Sequence, residues 1–531
     1  MRASRSRGAW YALRIPMVLA TLLGGCASDE GRPVQLFPRG FLFGTAIAGF
    51  QAEMGCPTLP AEECEDRGSD WYDWVSTPEL VADGTTHLSG QPVTVGPGHW
   101  ELYEKDYELA AKGLGNNAMR SSLEWSRIFP KSTVGVEGHE ALKAIANPKA
   151  LAHYRRMFDA MRARGLTPLV TLNHYTLPRW IHDAVGCHKD LDTCTARGWL
   201  DAPTLLREIA KYSAFVAREF GDRVDLWATL NEPLAVVLAG YLFPTADRTN
   251  PPGVMMRPVE AKAVIMAMIE AHARMVDAVR AGDTVDADGD GKPAQVGLVY
   301  NLTSVRPANP KRELDMRGAE SLYYLYNTAF LNAVIKGELD AGLDRKVVKR
   351  PDLAGRMDYL GVNYYTRITV PGTVDPVVPK LSPLTTFNPL TMQVWEDYPR
   401  GIYEAAMEGK RFGVPVIVTE NGADDPRDNG RAPKFLVEHL TWLQRAVRDG
   451  ADVRGYFYWT FMDNYEWNHG MEIRMGLYAV DKNDPKKERR PRQAAEIYRR
   501  IASEGRIPDD LAARYPAPET PAIPETPAVL P

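Results

Sequence analysis

Eight short runs, rich in apolar and β-branched residues, recur along the chain at 41–50, 117–122, 167–173, 224–230, 295–301, 359–363, 414–420 and 453–459. Several are near-continuously apolar, the pattern of parallel strands covered on both faces rather than of strands with one wet side. Between them lie stretches of helical period at 103–114, 151–164, 203–220, 259–281, 403–412 and 434–448. Eight strands alternating with helical crossovers predict a single α/β domain, a (β/α)₈ TIM barrel with elaborated βα loops. No Pro- or Ser-rich linker divides the interior, so the barrel is expected over residues 39–510. The Pro-Glu-Thr-Pro repeats of 511–531 predict an extended, disordered tail.

The N-terminus carries a different pattern. Arg2, Arg5, Arg7 and Arg14 precede a short apolar run from Pro16 to Leu23, too short to span a bilayer. The run ends in Leu23-Gly24-Gly25-Cys26, which resembles a bacterial lipobox. The expectation is a signal peptide over 1–25, lipidation at Cys26, a polar leader over 26–38, and an exported protein lipid-anchored to the cell envelope. Ala27 lacks the Asp that can signal inner-membrane retention, which favours the outer membrane. Of the five cysteines, Cys56, Cys64, Cys187 and Cys194 then remain as two short-range pairs. Their spacings fit neither a zinc ribbon nor a redox motif. In an oxidising compartment they read as two local disulfides, otherwise as four free thiols.

The charge balance, 63 basic against 68 acidic side chains, gives no electrostatic reason to expect nucleic acid as a partner. Twelve Trp and 23 Tyr suit sugar faces, though aromatics are also ordinary core. Asp286, Asp288 and Asp290 look like the start of a calcium loop. The twelfth position, where that loop needs a bidentate Glu, is Gly297, so an acidic solvated turn is preferred over a calcium site completed by carbonyls or distant carboxylates, and no cofactor is required.

A barrel places its chemistry where strands end and βα loops begin. Polar residues collect at those exits: Arg120, Asn173-His174, Asn231-Glu232, Asn363-Tyr364-Tyr365, Glu420 and Trp459. Two carboxylates across a barrel mouth suit glycoside hydrolysis, one protonating the leaving oxygen and the other stabilising or attacking the anomeric carbon. Neither spacing nor composition reveals their separation; about 5–5.5 Å implies retention and ~6.5–9.5 Å inversion.

These segments together resemble glycoside hydrolase family one, the β-glucosidase and β-galactosidase family, from about Phe41 to about Ile501. Thr229-Leu230-Asn231-Glu232-Pro233 is similar to its acid/base motif and Thr419-Glu420-Asn421-Gly422 to its nucleophile motif. The resemblance implies an exo-acting retaining β-glycosidase with Glu420 attacking C1 and Glu232 as acid and then base. It implies that Arg120 and Tyr365 hold the nucleophile and that Asn231 holds the 2-hydroxyl. Gln51, His174, Trp459, Glu466 and Trp467 match its sugar ligands, with Glu466 bridging the 4- and 6-hydroxyls, and Trp395 its aglycone platform. A carboxylate at 466 would repel a phosphate, so an unphosphorylated β-glycoside or small oligosaccharide is implied, gluco or galacto. Tyr175 stands where many relatives have Trp, and Met475 where Phe is usual; the stretches 53–72 and 124–127 are closest to the archaeal-type branch. The competing readings are transglycosylation on the same scaffold and a surface sugar-binding lipoprotein that has lost catalysis.

Overall fold

A computed structural model describes residues 36–518. Eight strands form a closed, wholly parallel barrel: β1 (Leu42–Ala46), β2 (Ala118–Ser122), β3 (Thr167–Asn173), β4 (Leu226–Asn231), β5 (Gln295–Asn301), β6 (Tyr359–Asn363), β7 (Val416–Asn421) and β8 (Val453–Trp459). Each pairs with its sequence neighbours, and β1 closes on β8 with Leu42 opposite Gly455 and Ala46 opposite Trp459. The apolar runs are buried from end to end in β2, β4, β6 and β7, as a sheet walled by helices outside and packed inside requires.

The crossover helices begin where the chain supplies start signals. Asn147 caps Pro148–Ala163 by accepting from the backbone N–H groups of Lys149 and Ala150, with Pro148 as the first helical residue. Pro258–Gly282 likewise starts on proline, and Arg400–Phe412 stops at Gly413, whose φ of 71° suits a residue without Cβ.

Beyond shifts of one or two residues at the ends of β2, β4 and β7, three boundaries differ from expectation. The first strand stops at Ala46 instead of running to 50, because Gly49 and Phe50 turn into a helical segment, Gly49–Ala52. Their N–H groups donate to Ser122 Oγ (2.7 Å) and to Glu124 (3.0 Å) instead of to a neighbouring strand. A side chain at Gly49 would not fit, since its Cβ would stand 2.5 Å from Glu124 Oε1. The folded body also begins before residue 39: Phe37 is buried and its N–H donates to Gly505 O at 2.8 Å. At the other end, a helix over Asp509–Arg514 buries Leu511, so the tail does not begin at 511. The signal and lipobox residues, Cys26 included, and the last thirteen residues lie outside the described residues.

Cys56 is bonded to Cys64 in the β1–β2 connection, and Cys187 to Cys194 in the β3–β4 connection. The Asp286–Gly291 turn is built by its own carboxylates. Asp286 accepts from the N–H groups of Gly289 and Gly291, and Asp225 from those of Ala287 and Asp288. The acidic trio that converges is Asp225, Asp286 and Asp288; Asp290 instead accepts from Lys292 N–H and the Gln295 side chain. Asx bonds lace the turn. No helix among the described residues is long and apolar enough to cross a membrane.

Candidate active site

A cavity of about 330 Å³ opens at the strand exits, with Glu232, Glu420, Tyr365, His174, Glu466 and Trp467 in its wall. Glu420 is the penultimate residue of β7. Glu232 follows β4 directly, at φ 45°, and its N–H donates to Val299 O of β5 at 2.9 Å. Pro233 then opens a short helix, Pro233–Val237. The left-handed backbone at a non-glycine residue is costly and is held by the strand before it and the helix after it.

The two carboxylates are held by different kinds of donor. Arg120 Nη1 donates to Glu420 Oε1 at 2.5 Å, and Tyr365 Oη to Oε2 at 2.6 Å. Glu232 receives only neutral donors: Tyr175 Oη at 2.5 Å, Asn363 Nδ2 at 2.8 Å and Asn301 Nδ2 at 3.2 Å. Arg120, fully buried, also donates to Asn231 Oδ1 (2.7 Å) and Thr171 Oγ1 (3.0 Å). Asn363 Nδ2 reaches Asn231 Oδ1 at 3.2 Å as well, so one polar network runs from Glu420 through Arg120, Asn231 and Asn363 to Glu232. Burial pushes the Glu420 carboxyl up, Arg120 pulls it back, and the nearby charge of Glu232 adds to the rise.

Beyond the acids the wall becomes aromatic. The His174 ring lies nearly parallel to both Trp459 and Trp467, 5.8 Å from each, and its Nε2 is 3.3 Å from Asn231 Nδ2. Burial and the charge of Arg120 hold this imidazole neutral, well below the ordinary histidine range. Trp467 is clamped between Phe50, stacked at 6.0 Å, and Tyr175 at 4.8 Å. Glu466 is gripped at both oxygens, by Gln51 Nε2 (2.9 Å) and by Arg248 Nη2 (3.0 Å). Trp395 is 62% exposed at the rim and still lines the cavity.

Every residue singled out for the site therefore converges on this one region. Gln51 meets the wall at Glu466, Arg120 at Glu420, and Asn231 beside His174. Three contributors went unforeseen. Asn301 ends β5 and was open to the same strand-exit logic as Asn231. Tyr175 was marked as a departure, and its bond to Glu232 gives the departure a use. Arg248 sits in a long loop with no period or motif to mark it.

Glu124 sets the position of the Gln51 segment. It accepts from Phe50 N–H and from the hydroxyls of Ser122 and Thr176. Burial raises its carboxyl to about 8, with Glu53 and Asp66 adding to the rise. A carboxyl raised in the folded state stabilises fully below its unfolded value and loses that contribution as pH climbs through the folded one. Glu124→Gln, which keeps the shape without the proton, should therefore gain in melting temperature relative to the wild type between pH 5 and pH 9. A constant difference across that window would refute the assignment.

The profile of glycosyl hydrolase family 1 matches residues 34–506. The β-galactosidase of Pyrococcus woesei is 38% identical over 511 residues, covering 88% of this chain and 97% of the relative. That of Saccharolobus solfataricus is 36% identical, with 90% and 96% covered. The crystal structure of the β-glycosidase from Thermosphaera aggregans superposes with a TM-score of 0.77 at 32% identity, covering 90% of this chain and 99% of that one. These relatives overturn the exported, lipid-anchored placement. The likeness is to archaeal β-galactosidases. Neither a dedicated transglycosylase nor a sugar-binding lipoprotein without catalysis finds support among them.

Proposed function

Since the chain belongs to glycosyl hydrolase family 1, and is thus a retaining β-glycosidase that works without a cofactor, we propose that Glu420 is its nucleophile and Glu232 its acid/base. The observation that carries this assignment is the asymmetry of donors. Glu420, paired with a guanidinium, is the ionised member able to attack C1; Glu232, among neutral donors, keeps the proton that the leaving oxygen needs. Attack at C1 forms a glycosyl ester on Glu420 while Glu232 gives its proton to the departing aglycone. Esterification removes the negative charge of Glu420, and Glu232, now a carboxylate, takes a proton from the water that breaks the ester.

The sugar is held by His174 and Glu466 at its hydroxyls and by Trp459 and Trp467 at its faces, with Gln51 behind Glu466. Asn231 Nδ2, beside His174, serves the 2-hydroxyl, a contact that strengthens as the ring flattens toward the oxocarbenium ion. Trp395, at the rim, underlies the aglycone. Unphosphorylated β-glucosides and β-galactosides are both substrates. A carboxylate accepts from an equatorial or an axial 4-hydroxyl, and the relatives bear both names, β-galactosidase and β-glucosidase. The barrel domain spans the stretch between the N-terminal leader and the Pro-rich tail, with its ends moved outward to Phe37 and Arg514.

Proton NMR of p-nitrophenyl β-glucoside hydrolysis tests the reading. β-Glucose should appear first and mutarotate later; α-glucose as first product would overturn it.

A further inference from the structure

Arg248 belongs to none of the strand exits, yet it is one of the two residues that grip Glu466. Its loop, between Pro233–Val237 and Pro258–Gly282, closes on itself through paired Thr245–Arg248 backbone bonds of 3.0 and 3.1 Å. It is then laced to the turn that follows Glu466. Asn468 Nδ2 donates to Ala246 O (3.0 Å), Thr249 N–H donates to Asn468 Oδ1 (3.3 Å), and His469 Nε2 lies 2.9 Å from Asp247 O. The guanidinium is thus carried on a strap fastened to the segment it serves, and its Cζ lies 5.9 Å from the ring of Trp467. Nη2 is used on Glu466 Oε1; Nη1 is shut away from solvent with no protein partner among the described residues, in a side chain that lines the cavity. A buried guanidinium nitrogen without an acceptor is expensive, and a substrate oxygen is the acceptor such a wall awaits.

Which oxygen follows from the shape of a pyranose, and here the inference rests on the function proposed above. With C1 at Glu420 and Glu232, C4 lies across the ring and C6 hangs beside it from C5. From Asn231 the wall runs through His174 and Trp467 to Glu466, so the Glu466–Arg248 pair stands at the end that C4 and C6 approach. We propose that Arg248 is a specificity-determining residue of the sugar site, fixing Glu466 and offering its free nitrogen to the oxygen on C6. The pair is also electrically balanced: burial pushes Glu466 up, and Arg248 is the largest influence holding it down. Glycosides bearing a C6 oxygen are therefore the favoured class over their 6-deoxy counterparts.

The test compares p-nitrophenyl β-galactoside with β-fucoside, and β-glucoside with its 6-deoxy analogue, pairs that differ by one oxygen. In Arg248→Met the ratio of kcat/KM within each pair should fall about tenfold or more, the size of one charge-assisted hydrogen bond. The 6-deoxy substrates lose only the grip on Glu466 and should therefore fall less than their 6-hydroxy counterparts, and Arg248→Lys should recover part of the ratio. Arg248→Gln stands in should the Met variant fail to fold, as judged by circular dichroism. Equal losses on both members of a pair would mark Arg248 as structural and overturn the proposal, as would no loss at all. A wild-type enzyme that cleaves none of these substrates would instead sink the glycosidase assignment of the site.

Discussion

Glu420→Gly is expected to lose at least about 10⁴-fold in kcat/KM toward aryl β-glucosides, and to regain turnover of 2,4-dinitrophenyl β-glucoside when azide is added, releasing the α-glucosyl azide. With the nucleophile gone, a small anion fills its place, and one displacement inverts the anomeric centre. Glu232→Ala should behave differently. Dinitrophenolate needs no proton to leave, so the ester on Glu420 still forms, and azide then displaces it a second time to give the β-azide. Opposite products from two neighbouring acids report which acid does what, independently of how far either rate falls. The β-azide from Glu420→Gly, or unimpaired hydrolysis by it, would reverse the assignment.

The second large effect belongs to Arg120. Its three nitrogens are divided among Glu420, Asn231 and Thr171 with no solvent beside them. Arg120→Met should lower kcat/KM on the order of 10²–10³-fold, because it leaves a carboxylate buried without its cation. The sign of the pH effect is fixed by the interaction lost. Arg120 favours the ionised form of Glu420, so without it the proton is held to higher pH. The acid limb of the kcat/KM profile should accordingly move to higher pH in Arg120→Met. Arg120→Lys restores a positive charge but cannot span three acceptors, so the limb should return toward the wild-type position while the rate stays depressed. A limb that stays put in both variants would show that Glu420 is not the group being titrated.

The eight strands were legible because a parallel strand buried on both faces must be apolar throughout, and such runs stand out from everything around them. Four of them, β3, β5, β6 and β8, have the bounds their sequence predicts. The β5–β6 crossover was not legible as helix. Between Glu313–Tyr323 and Ala329–Lys336 the chain takes a π-helical turn, Tyr324–Thr328, and the extra residue breaks the 3.6 period. Among site residues the same division holds. Glu232, Glu420, Arg120 and Tyr365 occupy strand exits, where an ionisable group inside an apolar run is conspicuous. Asn301 occupies an exit too, but a neutral amide announces no chemistry. Arg248 depends on a loop whose path is set by contacts with the turn at 467–469, more than two hundred residues away, and no local pattern encodes that. The N-terminal reading failed for a related reason: a short basic-then-apolar stretch is weak evidence by itself, and the curated relatives are archaeal β-galactosidases.

The seam between β1 and β8 also bears on how the protein is made. Leu42 meets Gly455, and Tyr498 reaches back to the carbonyl of Gly44 at 2.7 Å, so the first strand waits for partners that leave the ribosome more than four hundred residues later. Until then it has a neighbour on one side only, an open edge of the kind that invites mispairing and keeps chaperones occupied. The sugar pocket is completed at that same late moment, because Gln51 follows β1 and Glu466 follows β8. A nascent chain cut short before Val453 has neither a closed sheet nor a place for the substrate.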